Sequence, residues 1–238
     1  MVKRPNHSSE AHLPEKSGKA EVEAFLAELK ATPVPTGQGR GRLIFAMDAT
    51  ASREPTWAQA CRIQNEMFTA TAALGGLDVQ LVFYRGFGEC KASGWLSDAD
   101  ALVRRMMAVR CLGGETQLGK VLSHAAREAA KHKIGALVFV GDCMEEDIDA
   151  VCARAGELGV LGVPAFMFHE GNDAVASRAF QQIAKLTGGA YCHFDASSAD
   201  QLKRLLGAVA AYAAGGAVAL EDYERRTGMT LRLIGRRA

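Results

Sequence analysis

The segment Leu43-Ile-Phe-Ala-Met-Asp48-Ala-Thr50-Ala-Ser52-Arg53-Glu54-Pro55 ends an apolar run in a carboxylate and places hydroxyls at the next two alternate positions. Pro55 and Thr56 then open a helix pattern. A strand end freed from regular hydrogen bonding lets Asp48, Thr50 and Ser52 converge in one loop. Oxygen donors of this kind suit a hard cation such as Mg²⁺, which demands octahedral geometry and tends to keep some of its waters. A second segment, Gly113-Gly114-Glu115-Thr116-Gln117, precedes another helix pattern, and a third, Leu137-Val-Phe-Val-Gly-Asp142, again ends an apolar run in a carboxylate.

These residues need a scaffold that brings separate strand ends together. Short apolar runs at 43–47, 79–84, 136–140, 163–168 and 190–194 alternate with amphipathic stretches. That is the pattern of a three-layer α/β domain, a mostly parallel open sheet with helices on both faces. Helical stripes fall at Ala60, Ile63, Met67, Ala70 and Leu74, at Leu118, Val121, Leu122, Ala125 and Ala129, at Ile148, Val151, Cys152, Ala155 and Leu158, and at Leu202, Leu205, Leu206, Val209 and Tyr212. These are core faces. The path from 79–84 through Gly86-Phe-Gly into 89–96 is too short for a crossover helix and predicts a hairpin with one antiparallel edge strand. If the runs at 43–47 and 136–140 are central neighbours, Asp48 and Asp142 emerge together at the crevice where open α/β sheets bind ligands.

The 238 residues, 48% hydrophobic and 23% charged, suffice for one large core with short tails. Residues 1–20 read as a disordered arm, 21–40 as a helix and linker, 41–215 as the α/β domain and 216–238 as a C-terminal extension. In the helix, Val22, Phe25, Leu26 and Leu29 share one face and should dock on the domain; Gly215-Gly216 should end the last helix, and 229–234 is a further strand or a docked tail. A net charge of +1 gives no field that would select nucleic acid or an anionic membrane. Since no apolar run approaches the ~20 residues of a membrane span and no leader pattern opens the chain, the expectation is a cytoplasmic protein without membrane insertion. The six scattered cysteines form neither CxxC pairs nor Cys/His clusters, so packed, reduced thiols are expected.

With its DxTxS triplet at Asp48, Thr50 and Ser52, then Thr116 after two glycines, then Asp142, the sequence resembles the von Willebrand factor A (VWA) family over roughly residues 41–215. Thr stands at position 50 where the family's metal-ion-dependent adhesion site (MIDAS) carries Ser, and Gly-Asp-Cys stands where Thr-Asp-Gly is commoner. The resemblance is to intracellular bacterial members of the family. It implies a divalent metal, Mg²⁺ with Mn²⁺ or Ca²⁺ as substitutes, held by Asp48, Thr50, Ser52, Thr116 and Asp142. A partner protein's Asp or Glu would complete the shell, since two carboxylates leave the ion electrophilic toward an anion, and Glu115 is an internal competitor. A role beside an AAA+ ATPase or in another complex is a further implication, with no catalysis.

Other readings stand beside this one. Taken singly, the triplet is a turn and helix cap, Thr116 is a cap, and Asp142 with Glu145, Glu146, Asp147 and Asp149 is an acidic helix start. Residues 114–120 imitate a phosphate loop, but Val121 stands where the Mg²⁺-binding hydroxyl belongs, and 98–110 in front reads as helix. A haloacid dehalogenase-like phosphatase would use Asp48 as nucleophile and Gly141-Asp142 through Asp147 as metal acids. It lacks the acid/base carboxylate, because Thr50 holds that position. A degenerate, metal-free scaffold is the third possibility. The histidines His124, His132, His169 and His193 read as surface or satisfied core residues, and Cys143 has no His beside it in sequence.

Overall fold

The computed structural model describes residues 19–33, 40–57, 70, 76–194 and 199–228. The apolar runs form β1 (Gly41–Asp48), β2 (Leu77–Arg85), β3 (Glu89–Leu96), β4 (Ala136–Gly141), β5 (Ala165–Glu170) and β6 (Tyr191–Phe194). Helices are α1 (Lys19–Ala31), α2 (Ala99–Met107), α3 (Leu118–Ala129), α4 (Ile148–Val160), α5 (Ala174–Thr187) and α6 (Ala199–Thr227), with a short 3₁₀ turn at Ala51–Arg53 after β1. The strands make one six-stranded sheet in the order β3-β2-β1-β4-β5-β6. All neighbours pair in parallel except β2 and β3, the hairpin expected from the short Gly86-Phe-Gly link.

Alternation along β1 sorts side chains onto two cores. Leu43, Phe45 and Met47 face a layer containing α1, α2 and α6, whereas Ile44 and Ala46 face α3, α4 and α5. Burial on both faces is why the central strands read as unbroken apolar runs. Asp98 and Asp147 cap α2 and α4 by accepting from Ala101 N at 2.8 Å and Ala150 N at 3.1 Å. The last helix approaches the sheet closely because glycines open the first residues of the strands to it. A Cβ at Gly41 would lie 2.5 Å from Ala214 Cα, and one at Gly135 2.7 Å from the Ala213 carbonyl oxygen.

The tails of the domain contribute to its core. Phe25, Leu26 and Leu29 of α1 are buried, and the Phe25 ring centroid lies 5.9 Å from that of Phe166 and 5.3 Å from that of Phe168. Gly216, at φ 67° and ψ −155°, breaks the last helix where the sequence placed its end, but the chain turns helical again through Thr227. Leu220 and Tyr223 of that second segment are buried in the same core as Phe25. Tyr223 Oη donates to the Arg204 carbonyl at 3.2 Å, so the segment folds back along the first. Lys30 Nζ pairs with Glu224 Oε2 at 2.7 Å and ties α1 to it.

Within residues 200–227 an 18-residue window reaches mean hydropathy 1.3, enough by length and composition to cross a membrane, contrary to the expectation that no stretch comes near that length. Two-thirds of the relevant window is buried inside the protein, so its apolarity serves the core. The helix stripe at 60–74 lies outside the described residues apart from Ala70, which is buried. The N-terminal arm to residue 18 and the segment 229–234 also lie outside them.

Because α1 supplies an aromatic plug to the sheet, Phe25→Ala should lower stability by about 3–5 kcal/mol in urea unfolding. A loss below about 1 kcal/mol would mean that α1 is an appendage.

Candidate metal centre

β1 and β4 are adjacent, and the order of the sheet reverses between them. Their carboxyl ends therefore open the crevice in which Asp48 and Asp142 meet. Asp48 is fully buried. Its Oδ1 accepts from Thr50 N at 2.7 Å and its Oδ2 from Tyr84 Oη at 3.0 Å, Tyr84 being its partner in the register between β1 and β2. The Thr50 and Ser52 hydroxyl oxygens lie 3.0 Å apart, which gathers the triplet into one loop. Leu112 N donates to Ala49 O at 3.1 Å and holds that loop against the segment leading to Thr116.

Thr116 reaches the same end of the sheet through the loop after β4. Its backbone N donates to Glu145 Oε2 at 3.1 Å, and its Oγ1 accepts from Glu145 N at 2.9 Å. One lone pair of that hydroxyl is thus engaged and the other remains for a ligand. Glu146 closes the N-terminus of α3, accepting from Leu118 N and, at 2.9 Å, from Gly119 N. Gly114 sits so close to the hairpin turn that a Cβ would lie 2.2 Å from Gly86 O. Lys120 Nζ donates to Gly88 O and to Gln117 Oε1, both at 2.9 Å. The lysine of the phosphate-loop imitation is therefore a tie to the hairpin, and no strand precedes it between α2 and α3. Glu115 is exposed.

Asp142 Oδ1 is buried and has no hydrogen-bond partner among the described residues. Oxygens of Asp48 and Asp142 and the sulfur of Cys143 all lie within 4.8 Å of one another. Burial raises the Asp48 carboxyl above its ordinary value; the bonds from Thr50 oppose that rise and the charge of Asp142 adds to it. Tyr84 is driven well above its ordinary value by burial and by Asp48, so it stays a neutral donor. Two carboxylates this close repel, and the buried Arg53 guanidinium, which interacts with both, is the cation that the protein itself supplies nearby. The oxygen donors present fit a divalent ion: two carboxylates, with hydroxyls from Thr50, Ser52 and Thr116 held on the loops around them.

Arg53 has a structural role that the sequence pattern did not reveal. It is only 2% exposed and forms an ion pair with Glu170 at the end of β5. Burial lowers its guanidinium, against Asp142 and Asp48, which favour its charge. Its place directly after Ser52 was the available signal, but only the fold shows that the side chain turns inward. Tyr84 was equally hidden, since it reads as one more apolar position of a strand. Burial, followed by Asp142 and Asp48, pushes the Cys143 thiol up to about 12.

Arg53→Met would leave Glu170 buried without its counter-ion, so it should cost about 3–5 kcal/mol in urea unfolding. Adding Glu170→Gln should recover a large part of that loss. A double variant as unstable as the single one would show that the pair is not what holds Arg53.

In sequence, no protein-family model and no curated protein matches the chain. In structure, the pilus adhesin SpaC from Lactobacillus rhamnosus GG, in its open conformation, aligns with TM-score 0.58 and 11% identity over 80% of this chain and 31% of its own. Proximal thread matrix protein 1 from the mussel byssus, in a form with a zinc-occupied MIDAS motif, aligns with TM-score 0.54 and 16% identity over 72% of this chain and 45% of its own. The SpRpn10 VWA domain aligns with TM-score 0.53 and 13% identity over 72% of this chain and 94% of its own. The chain thus spans about a third to a half of the first two proteins and nearly all of the third. Together with the six-stranded sheet and its single antiparallel edge, these likenesses show that the chain has the von Willebrand factor A fold.

Proposed function

We propose that this protein is a metal-dependent protein-binding module and not an enzyme. The observation that carries the reading is the buried, unpartnered Asp142 Oδ1 beside the buried Asp48 carboxylate at the switch point of the sheet. A divalent ion, Mg²⁺ or Mn²⁺, would be held by Asp48, Thr50, Ser52, Thr116 and Asp142. With the Arg53 guanidinium acting on the same two carboxylates, the ion keeps surplus positive charge, so a position left open favours an Asp or Glu of a partner protein. The bonds from Thr50 N and Tyr84 Oη orient Asp48, and Glu145 fixes the Thr116 hydroxyl. Within the same proposal the partner belongs to an intracellular complex, an AAA+ ATPase being one such component, and the protein is cytoplasmic and of the intracellular bacterial type.

The phosphatase reading loses support from the loop after β4. Asp147, the last acid of its motif, accepts from Ala150 N at 3.1 Å and caps α4. The position two residues beyond Asp48 is a threonine, which cannot protonate a leaving group as a carboxylic acid does.

Calorimetry should show Mg²⁺ or Mn²⁺ binding that Asp48→Ala abolishes while circular dichroism remains native. Equal metal response in both proteins would sink the reading. A pull-down in Mg²⁺ should recover a partner that EDTA releases and that Ser52→Ala and Thr116→Ala weaken. Metal-dependent hydrolysis of an aryl phosphate, lost in Asp48→Asn, would instead establish the enzyme.

The same site predicts a pH dependence. Its metal-free Asp48 is raised above the ordinary carboxylate value, and the metal requires it ionised. Protons therefore compete with the ion as pH falls through that raised value, and affinity should drop by up to about tenfold per pH unit below it. Above it the affinity should level off. Affinity that is flat down to pH 4 would remove Asp48 from the ligand set.

A further inference from the structure

The loop that carries Asp142 offers a donor that an oxygen-only centre would not use. Cys143 follows Asp142 at the end of β4, half-buried and in no disulfide. Its Sγ belongs to the same cluster as the Asp48 and Asp142 oxygens, every pair of these atoms lying within 4.8 Å. The cluster stands where β1 and β4, paired in parallel up to Met47 and Val140, end side by side. Within that cluster the Asp142 Oδ1 atom is buried and accepts no hydrogen bond among the described residues, which leaves it available to an ion.

We propose that Cys143 is a sulfur ligand of this centre, which therefore takes Zn²⁺ or another thiophilic divalent ion in preference to Mg²⁺. The inference rests on the metal-binding reading above; around a tetrahedral ion Asp48, Asp142 and Cys143 are the three side-chain donors, and the fourth position is left for the partner's carboxylate. Sulfur and oxygen ligands of a tetrahedral zinc lie about 3.3–3.5 Å apart, given metal distances of roughly 2.3 Å and 2.0 Å. Ligation forms a metal–sulfur bond and breaks the S–H bond; the proton leaves to solvent and no electron is transferred. Hard ions gain little from a thiolate, whereas Zn²⁺ and Co²⁺ gain much, so the residue after Asp142 sets the order of preference among ions. Where the family motif has glycine after this aspartate, a thiolate contribution is not available.

The test uses the full chain loaded with Co²⁺, whose thiolate complexes absorb in the near ultraviolet by sulfur-to-metal charge transfer. Wild type should show that band together with the weaker visible bands of bound Co²⁺. Cys143→Ser should lose the charge-transfer band, keep the visible bands and keep its circular dichroism. In parallel, Zn²⁺ affinity should fall about 10- to 100-fold in Cys143→Ser while Mg²⁺ affinity stays within about twofold. Cys111→Ser serves as the control, because Cys111 is a second half-buried thiol that senses the charge of Asp48. Bound Co²⁺ without the charge-transfer band, or a band that survives Cys143→Ser, would overturn the sulfur ligand and leave the oxygen-held centre standing. Absence of Co²⁺, Zn²⁺ and Mg²⁺ binding altogether would overturn both.

Discussion

Like charges repel most where water is excluded, and the molecule is organised around one such place. Asp48 and Asp142 stand at the ends of neighbouring parallel strands, with carboxylate oxygens within 4.8 Å of each other. At the reversal of strand order between β1 and β4 the two carboxylates face a crevice. Their repulsion is the physical reason for reading the site as a cation site. A set of acids on the surface could be solvated, whereas Asp48 is fully buried and Asp142 Oδ1 has no protein donor among the described residues.

The surrounding residues hold this pair in place and limit its cost. Tyr84 and the Thr50 amide each donate to one oxygen of Asp48, which restrains the carboxylate from both sides. Arg53 supplies an internal positive charge and is itself retained by Glu170 from β5, so three strands take part in one electrostatic arrangement. Glu145 and Glu146 fasten the Thr116 loop and the start of α3 to the loop after β4. The acidic run at 145–147, which looks in sequence like a solvated helix start, is in fact divided among three bonding tasks: Thr116, the α3 N-terminus and the α4 cap.

One face of the strands that carry the site is covered by a layer that includes α1 and α6. α1 and the folded-back end of α6 cover β1, β4 and β5, with Phe25 packed on Phe166 and Phe168 and with Lys30 joined to Glu224. The boundary drawn at residue 215 from the paired glycines divides what packs as one core. Gly216 does interrupt the helix, but interruption of a helix and the end of a domain are different events. The sequence shows only the first of them.

The strands, the hairpin and the order of the helices were legible because burial on both faces forces continuous apolar runs and because glycines mark the turns. The candidate ligands Asp48, Thr50, Ser52, Thr116 and Asp142 were legible as residue types at strand ends and helix starts. Their mutual distances were not, since nothing local states that β1 and β4 are neighbours. Arg53 and Tyr84 escaped for the same reason: an arginine in a loop reads as solvated and a tyrosine in a strand as core. Cys143 was visible as a departure from the family pattern but not as a neighbour of Asp48. Local pattern thus determined which groups stand at the strand ends. Long-range strand pairing decided which of them share one buried space, because the energy of a charge or a thiol depends on what surrounds it and not on what precedes it in the chain.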